Sequence, residues 1–116
     1  MRIDEIAALL EAQTHTVGHD SGIDIRSACG ADLMSDVMAF SKENAMMITG
    51  LMNPQVIRTA EMMDIRVVVF VRGKKPQEAI VALAEEKGIA VLSTELPMFA
   101  ACGKLYEKGI HGRGDS

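Results

Sequence analysis

The sequence predicts a single α/β domain, a three-layer sandwich built on a mainly parallel sheet, and three observations carry that reading. First, the second half of the chain repeats an apolar strand, a short Gly/Thr turn and a proline-opened helix, over residues 45–63, 66–86 and 89–108. Second, the three prolines, Pro54, Pro76 and Pro97, recur about every twenty residues, the length of one strand–helix unit. Third, Val67-Val68-Val69-Phe70-Val71 is apolar without alternation. A strand of that kind is covered on both faces, as in a parallel sheet flanked by helices. The crossovers between such strands are expected to be right-handed.

Composition narrows the function classes. A chain of 116 residues suits one domain with one modest core, here residues 1–110, followed by a Gly-rich flexible tail over 111–116. The net charge of −4 argues against nonspecific nucleic-acid binding, which needs a basic field to displace counterions. Phe40, Phe70, Phe99 and Tyr106 are the whole aromatic complement, too few for a base-stacking platform. No apolar run approaches the ~20 residues that span a bilayer. The N-terminal stretch carries Asp4 and Glu5 where an export signal would be apolar. Cys29 and Cys102 lie far apart and read as reduced thiols. The expected compartment is the cytoplasm.

The elements follow in chain order. Ile3, Ile6, Ala7 and Leu10 fall at i, i+3, i+4 and i+7, opposite Asp4, Glu5 and Glu11, which predicts an amphipathic first helix. Residues 14–26 alternate weakly and are cut by Gly18 and by Asp20-Ser21-Gly22, so one or two short strands around a turn are expected. Residues 26–29 extend into a strand ending at Gly30. Asp32 is then read as the N-cap of a helix running to about Ser41, with Leu33, Val37 and Phe40 on one face. In the first repeat Asn53 caps, Pro54 occupies the first helical position, and Val56, Ile57, Ala60 and Met63 form the buried stripe. In the second, Pro76 opens a helix that buries Ala79, Ile80, Leu83 and Ala84. In the third, Pro97 starts a helix with Met98, Ala101, Cys102 and Leu105 inward, poorly capped because Leu96 has no side-chain acceptor.

Parallel strands gather the three turns on one rim, where helix N-termini offer unpaired N–H groups and a partial positive charge. The candidate ligand-binding residues there are Thr49, Gly50, Asn53, Arg72, Gly73, Lys74, Ser93 and Thr94, with Lys75 beside them. Ligands of open α/β sheets bind outside the carboxyl ends of the strands, and hydroxyls, glycine backbone and cations suit a phosphate or carboxylate. The alternative is that Gly50 and Gly73 merely make tight turns. Neither G-x-x-x-x-G-K-[ST] nor G-x-G-x-x-G is present, so no nucleotide fingerprint names the ligand. Asp32 and Asp36 lie one helical turn apart, able to hold a cation or lock onto an arginine, but lack a third ligand. No metal site and no cofactor are therefore assigned. His15 and His19 are four apart without a helical pattern, which favours structural or solvent-exposed roles over zinc binding. Cys29 precedes a helix N-terminus, a position that depresses a thiol pKa, yet has no neighbouring partner and reads more simply as packing, as does Cys102. The methionine doublets Met46-Met47 and Met62-Met63, with Met34, Met38 and Met52, suit either the core or an adaptable contact surface.

The stretch VVVFVRGKKPQEAIVALAEEKGIAVLSTELPMFAACGKLYEKGI, residues 67–110, resembles the end of a DRTGG domain, a module similar to the N-terminal, non-catalytic domain of HPr kinase/phosphorylase. The shared pattern is an apolar strand, R-G-x-x-P, a helix ending E-x-x-G-I, a strand ending S-T, and a final helix. GADLMSDVMAF followed by MMITGLMNPQVIRTAEMMDI resembles small stand-alone DRTGG proteins, so the likeness spans about residues 27–110. The literal Asp-Arg-Thr-Gly-Gly string is absent, and Thr49-Gly50 stands where it would end. The resemblance implies an HPr kinase N-terminal-like architecture and a regulatory or associative role, with self-association common. The kinase domain is missing, so kinase activity does not carry over.

The expected function is a stand-alone regulatory module, homodimeric, sensing a small anionic ligand such as a nucleotide at the rim. The alternative is an interaction module without a ligand that binds itself or a partner enzyme. An enzyme needs a positioned His or a perturbed carboxylate pair; an acid beside the rim arginine would be its first sign.

Overall fold

The computed structural model describes residues 1–20, 22–40 and 44–112. Among these residues the elements run in the order α1 (Ile3–Leu10), β1 (Gln13–Thr14), β2 (Ser27–Gly30), α2 (Met34–Phe40), β3 (Ala45–Thr49), α3 (Pro54–Met62), β4 (Val67–Phe70), α4 (Glu78–Glu86), β5 (Ala90–Ser93) and α5 (Met98–Glu107). The five strands form one sheet in the order β1-β5-β4-β3-β2. Strands β2 to β5 are parallel, and β1 closes the β5 edge antiparallel, pairing Gln13 with Ser93 and Thr14 with Leu92.

The layers follow from the order. Strands β2, β3, β4 and β5 step in one direction across the sheet, so crossovers of one hand put their linking helices on one face. Val37, Val56, Ile57, Ala60, Ile80 and Ala84 of α2, α3 and α4 pack there against Met47, Val68, Phe70 and Val91. The opposite face is covered by α1 and α5, whose Ile3, Ile6, Leu10, Ala101 and Leu105 meet Met46, Ile48, Val67, Val69 and Leu92. Alternate strand residues thus enter different cores, which is why β3 and β4 are buried along their whole length. It also accounts for the Met46-Met47 doublet: each methionine is fully buried, one on each face.

Local chemistry sets the helix ends. The Oδ1 of Asn53 accepts from the N–H of Gln55 at 2.8 Å with Pro54 at the start of α3, as expected from the sequence. A cap of this kind contributes about 1 kcal/mol. Helices α3, α4 and α5 end alike, with one left-handed residue (Asp64, Gly88, Gly109) followed by a buried isoleucine (Ile65, Ile89, Ile110). The isoleucine N–H returns to the carbonyl of Ala60, Ala84 or Leu105, which satisfies orphan carbonyls of the last turn.

Several details differ from the sequence reading. Helix α4 begins at Glu78 with Gln77 as its cap, two residues after Pro76, and Ala79 is exposed because the inward face is set by Ile80 and Ala84. Met63 and Leu83 are only partly buried, and Thr59 takes the fourth buried place on α3. Between β1 and β2, Gly22 N–H bonds Asp20 in a turn; Ser21 lies outside the described residues. So do Ser41, where α2 was expected to end, and the side chain of Phe40. At the other end, His111 bridges to Ser27 of β2 and Ala28 donates to its carbonyl at 3.0 Å. Residue 111 thus pairs with the β2 edge; residues 113–116 lie outside the described residues.

Candidate anion-binding rim

The carboxyl ends of β2 to β5 open onto one rim, as the parallel sheet requires. After β4 the chain turns through Arg72 and Gly73, both left-handed with φ of 60° and 70°. An arginine in that conformation costs about 1–2 kcal/mol. Two hydrogen bonds to the loop after β5 hold it there: Arg72 N–H to Leu96 O at 2.8 Å and Gly73 N–H to Thr94 O at 2.9 Å. The turn lays the guanidinium against the backbone of Gly50, at the end of β3. A Cβ built on Gly50 would fall on Nη2 of Arg72, so only glycine admits the arginine here. A Cβ on Gly73 would stand 2.5 Å from Oε2 of Glu95, which places that carboxylate beside the same turn.

Asp32 completes the group. Its Oδ1 accepts from Gly50 N–H at 2.7 Å and from the Thr49 hydroxyl at 3.3 Å, and its Oδ2 lies 4.0 Å from Nη2 of Arg72. The residue read as the N-cap of α2 thus reaches across from the end of β2 to the end of β3 and sets a carboxylate beside the arginine, the acid that the enzyme alternative asked for, without a hydrogen bond to it. Both side chains are about half exposed (53 % and 55 %), so the pair itself is worth at most about 1 kcal/mol. Lys74 Nζ donates to Gly50 O at 2.7 Å, which brings a second cation to the same peptide. Two cations, Arg72 and Lys74, thus lie with the acids Asp32 and Glu95 around the turn, while the charge of Lys75 acts on His15.

The remaining candidates go elsewhere. Asn53 is exposed and spends its side-chain oxygen on the α3 cap. Ser93 ends β5 and Thr94 follows it, still bonded through its N–H to Phe70 O at 2.9 Å, and their side chains take opposite faces. The Thr94 hydroxyl donates to Leu10 O at 2.7 Å beneath the end of α1 and accepts from Leu96 N–H at 3.2 Å. The Ser93 hydroxyl meets Nε2 of His15 at 2.7 Å. The expected cluster of eight therefore reduces to Thr49, Gly50, Arg72, Gly73 and Lys74, with Asp32 added.

The Ser93–His15 contact has the atoms of a nucleophile and its base. Ser93 is buried, however, and burial first, then the Lys75 charge, lower the imidazole pKa. Among the described residues no carboxylate stands behind His15 to orient it and stabilise an imidazolium. The contact ties β1 to β5. His19 turns away, 3.4 Å from the Thr16 hydroxyl. Burial raises both thiols: that of Cys29, with Asp36 and Cys102 adding to it, and that of Cys102. The helix terminus near Cys29 does not activate it. Among the described residues no group of three His, Cys, Asp or Glu is placed to hold a metal, and no helix is long and apolar enough to cross a membrane.

Comparison with known proteins agrees with this architecture. The crystal structure of the CBS and DRTGG domains of the regulatory region of Clostridium perfringens pyrophosphatase, complexed with the activator diadenosine tetraphosphate, superposes with a TM-score of 0.68 at 18% identity. The match covers 90% of this chain and 45% of that one, so this chain corresponds to less than half of the pyrophosphatase fragment. No curated protein matches. A family model for the DRTGG domain matches residues 5–107, from the first turn of α1 to the end of α5. With nearly the whole α/β domain inside that match, the chain belongs to the DRTGG domain family.

Proposed function

We propose that this protein is a regulatory module that senses a small anionic ligand at the rim around Arg72. The observation that carries this reading is the arginine turn. A left-handed backbone held by two hydrogen bonds to the β5 loop, and a glycine at the end of β3 that leaves room for the side chain, place one half-exposed guanidinium beside Lys74. Backbone strain of this kind persists only where surrounding contacts over-determine it, and it concentrates at ligand clamps and switches. The guanidinium offers paired donors to a phosphate or carboxylate, and Asp32, 4.0 Å away, is the acid with which a bound anion would compete. The pyrophosphatase region of similar fold is complexed with a polyanionic nucleotide activator, which supports a nucleotide as the first class to try. Regulation of a partner enzyme and a reducing, cytoplasmic setting belong to the same reading, and both cysteines are free thiols.

The test is a thermal-shift screen of the purified protein against nucleotides and phosphorylated metabolites, repeated with Arg72→Ala. Stabilisation by at least one anion that disappears in the variant is the expected result. A flat response in both proteins would remove the ligand from the account.

A second reading, an interaction module that forms a homodimer or binds an enzyme, is favoured by exposed apolar side chains. Phe99 (92% exposed) and Tyr106 lie seven residues apart on α5, while Leu33 and Met38 protrude at α2, on the other side of the β2 edge. Light scattering decides self-association: a monomer at high micromolar concentration would exclude the homodimer.

A further inference from the structure

The opposite rim, at the amino ends of the strands, carries a sequence repeat of its own. Asp24-Ile25-Arg26 leads into β2 and Asp64-Ile65-Arg66 leads into β4, forty residues apart. Both isoleucines are buried at 1% exposure, Ile25 in the core under α1 and α5 and Ile65 in the core under α2 to α4, so each pair of flanking charged residues is anchored, one on each face of the sheet. In both copies the arginine Nε meets the aspartate two residues earlier, at 2.9 Å for Arg26–Asp24 and 3.5 Å for Arg66–Asp64. Strand β3 lies between β2 and β4, and the register sets Arg66 level with Ala45 and Ser27, so Arg26 starts two strand spacings away and one residue further out, about 10 Å in all. Asn44, at the head of β3, stands between them.

These residues line one cavity. Ile23, Asp24, Arg26, Asn44, Asp64 and Arg66 surround a volume of about 350 Å³, within the usual ligand-pocket range and near its lower end. A second hollow of about 270 Å³ adjoins it across Asp64 and Arg66 and brings Lys87, itself 3.3 Å from Glu61. The aspartates consume the Nε side of each guanidinium. The Nη ends stay accessible, since the Arg26 and Arg66 side chains are 74% and 51% exposed. Asp24 is also held by the Met1 ammonium at 2.7 Å, and its carboxyl pKa is lowered by that bond first and by Arg26 second.

Asp64 occupies a left-handed helix-end position that, apart from glycine, Asn and Asp tolerate best. The matching positions after α4 and α5 are Gly88 and Gly109, and all three residues are left-handed. Glycine takes that conformation without strain, whereas a side chain does not. Asp64 takes that conformation and sets a carboxylate 3.5 Å from Nε of Arg66, where glycine would set none.

We propose that this cavity binds a small phosphate monoester, its phosphate taken by the Nη ends of Arg26 and Arg66 and its organic part lying against Ile23. A monoester phosphate has three free oxygens and a charge near −2, enough to engage two guanidinium groups at once. A carboxylate has two oxygens and is satisfied by one fork. The site is separate from the Arg72 rim, at the other end of the strands.

The test is an NMR titration of the full chain with phenyl phosphate and, in parallel, benzoate. Saturable shifts are expected at the amides of Asn44, Ala45, Ile65 and Arg66. Arg26→Gln and Arg66→Gln should each weaken phenyl phosphate roughly tenfold or more, the scale of a lost charge-assisted bond. Benzoate should bind at least about tenfold more weakly on the same grounds, and Arg72→Ala should leave these shifts unchanged. Asp64→Gly should raise the melting midpoint and weaken binding. Absence of saturable shifts, affinity unaffected by both glutamine variants, or equal binding of benzoate would overturn the proposal. Failure here leaves the Arg72 reading standing, because that reading depends on a different variant.

Discussion

Thr94 separates a ligand-binding residue from a structural one, and Thr94→Val tests which it is. The side chain is 3% exposed, its hydroxyl donates to Leu10 O at 2.7 Å, and it accepts from Leu96 N–H at 3.2 Å. Valine keeps the shape and removes both bonds. A buried polar group left unsatisfied costs about 1–3 kcal/mol. The Leu10 carbonyl lies under α1 and bears the full penalty, whereas Leu96 is only partly buried and its N–H recovers some solvation. The sum is about 2–3 kcal/mol, or roughly 8–12 °C in Tm for a domain of this size. Urea denaturation should show the midpoint falling with the slope m unchanged, the signature of lost stability without a change in exposed area. The affinity of any anion bound at the Arg72 rim should stay the same in the native baseline. A stability change under about 0.5 kcal/mol, within the range of an ordinary surface substitution, would refute the anchoring role. So would unchanged stability with lost anion binding, which would return Thr94 to the site.

Three further outcomes follow from the same contacts. Gly50→Ala should displace the Arg72 guanidinium at a stability cost of about 0.5–1.5 kcal/mol, since only a flexible side-chain end must move; calorimetric titration should show the rim losing its anion as completely as in Arg72→Ala. Because the His15 pKa is lowered in the fold, the unfolded chain binds the extra proton; stability is fully present above the ordinary value of 6.5 and declines as pH falls through it toward the folded value. Denaturation midpoints at pH 7.5 and 5.5 should differ less in His15→Gln than in the native chain, and an NMR-measured His15 pKa at or above 6.5 would contradict this. Burial raises the pKa of both Cys29 and Cys102, so native protein should react slowly with a thiol reagent at pH 7.5 and rapidly once unfolded; fast labelling of either thiol in the folded state would be inconsistent with the packing.

What the sequence disclosed depended on how local each feature is. The helix at residues 3–10 and the strand–helix units were legible because periodicity, Asn53-Pro54 and the apolar run at Val67 act within a few residues. Strand β1 was not, since Gln13 and Thr14 are polar, exposed and only two residues long, and what makes them a strand is the β5 edge 78 residues away. Asp32 was misplaced because an aspartate before a helix suits a cap and a cross-strand acceptor equally. Only the sheet order reveals that Gly50 N–H lies within 2.7 Å of it. The split between Ser93 and Thr94 was readable from the alternation of strand side chains. The Arg72 turn was legible in composition, as R-G-x-x-P, but its left-handed backbone and its fit to Gly50 come from two loops distant in sequence.

The most direct test of the central claim, an anion sensor at the Arg72 turn, is an amide-resolved NMR titration with the nucleotide that gives the largest thermal shift. Shifts of Gly50, Arg72, Gly73 and Lys74 that saturate together, and that vanish in Arg72→Ala while the variant remains folded, are the predicted result. Saturable binding whose shifts leave those four amides unmoved, or persist undiminished in Arg72→Ala, would contradict it.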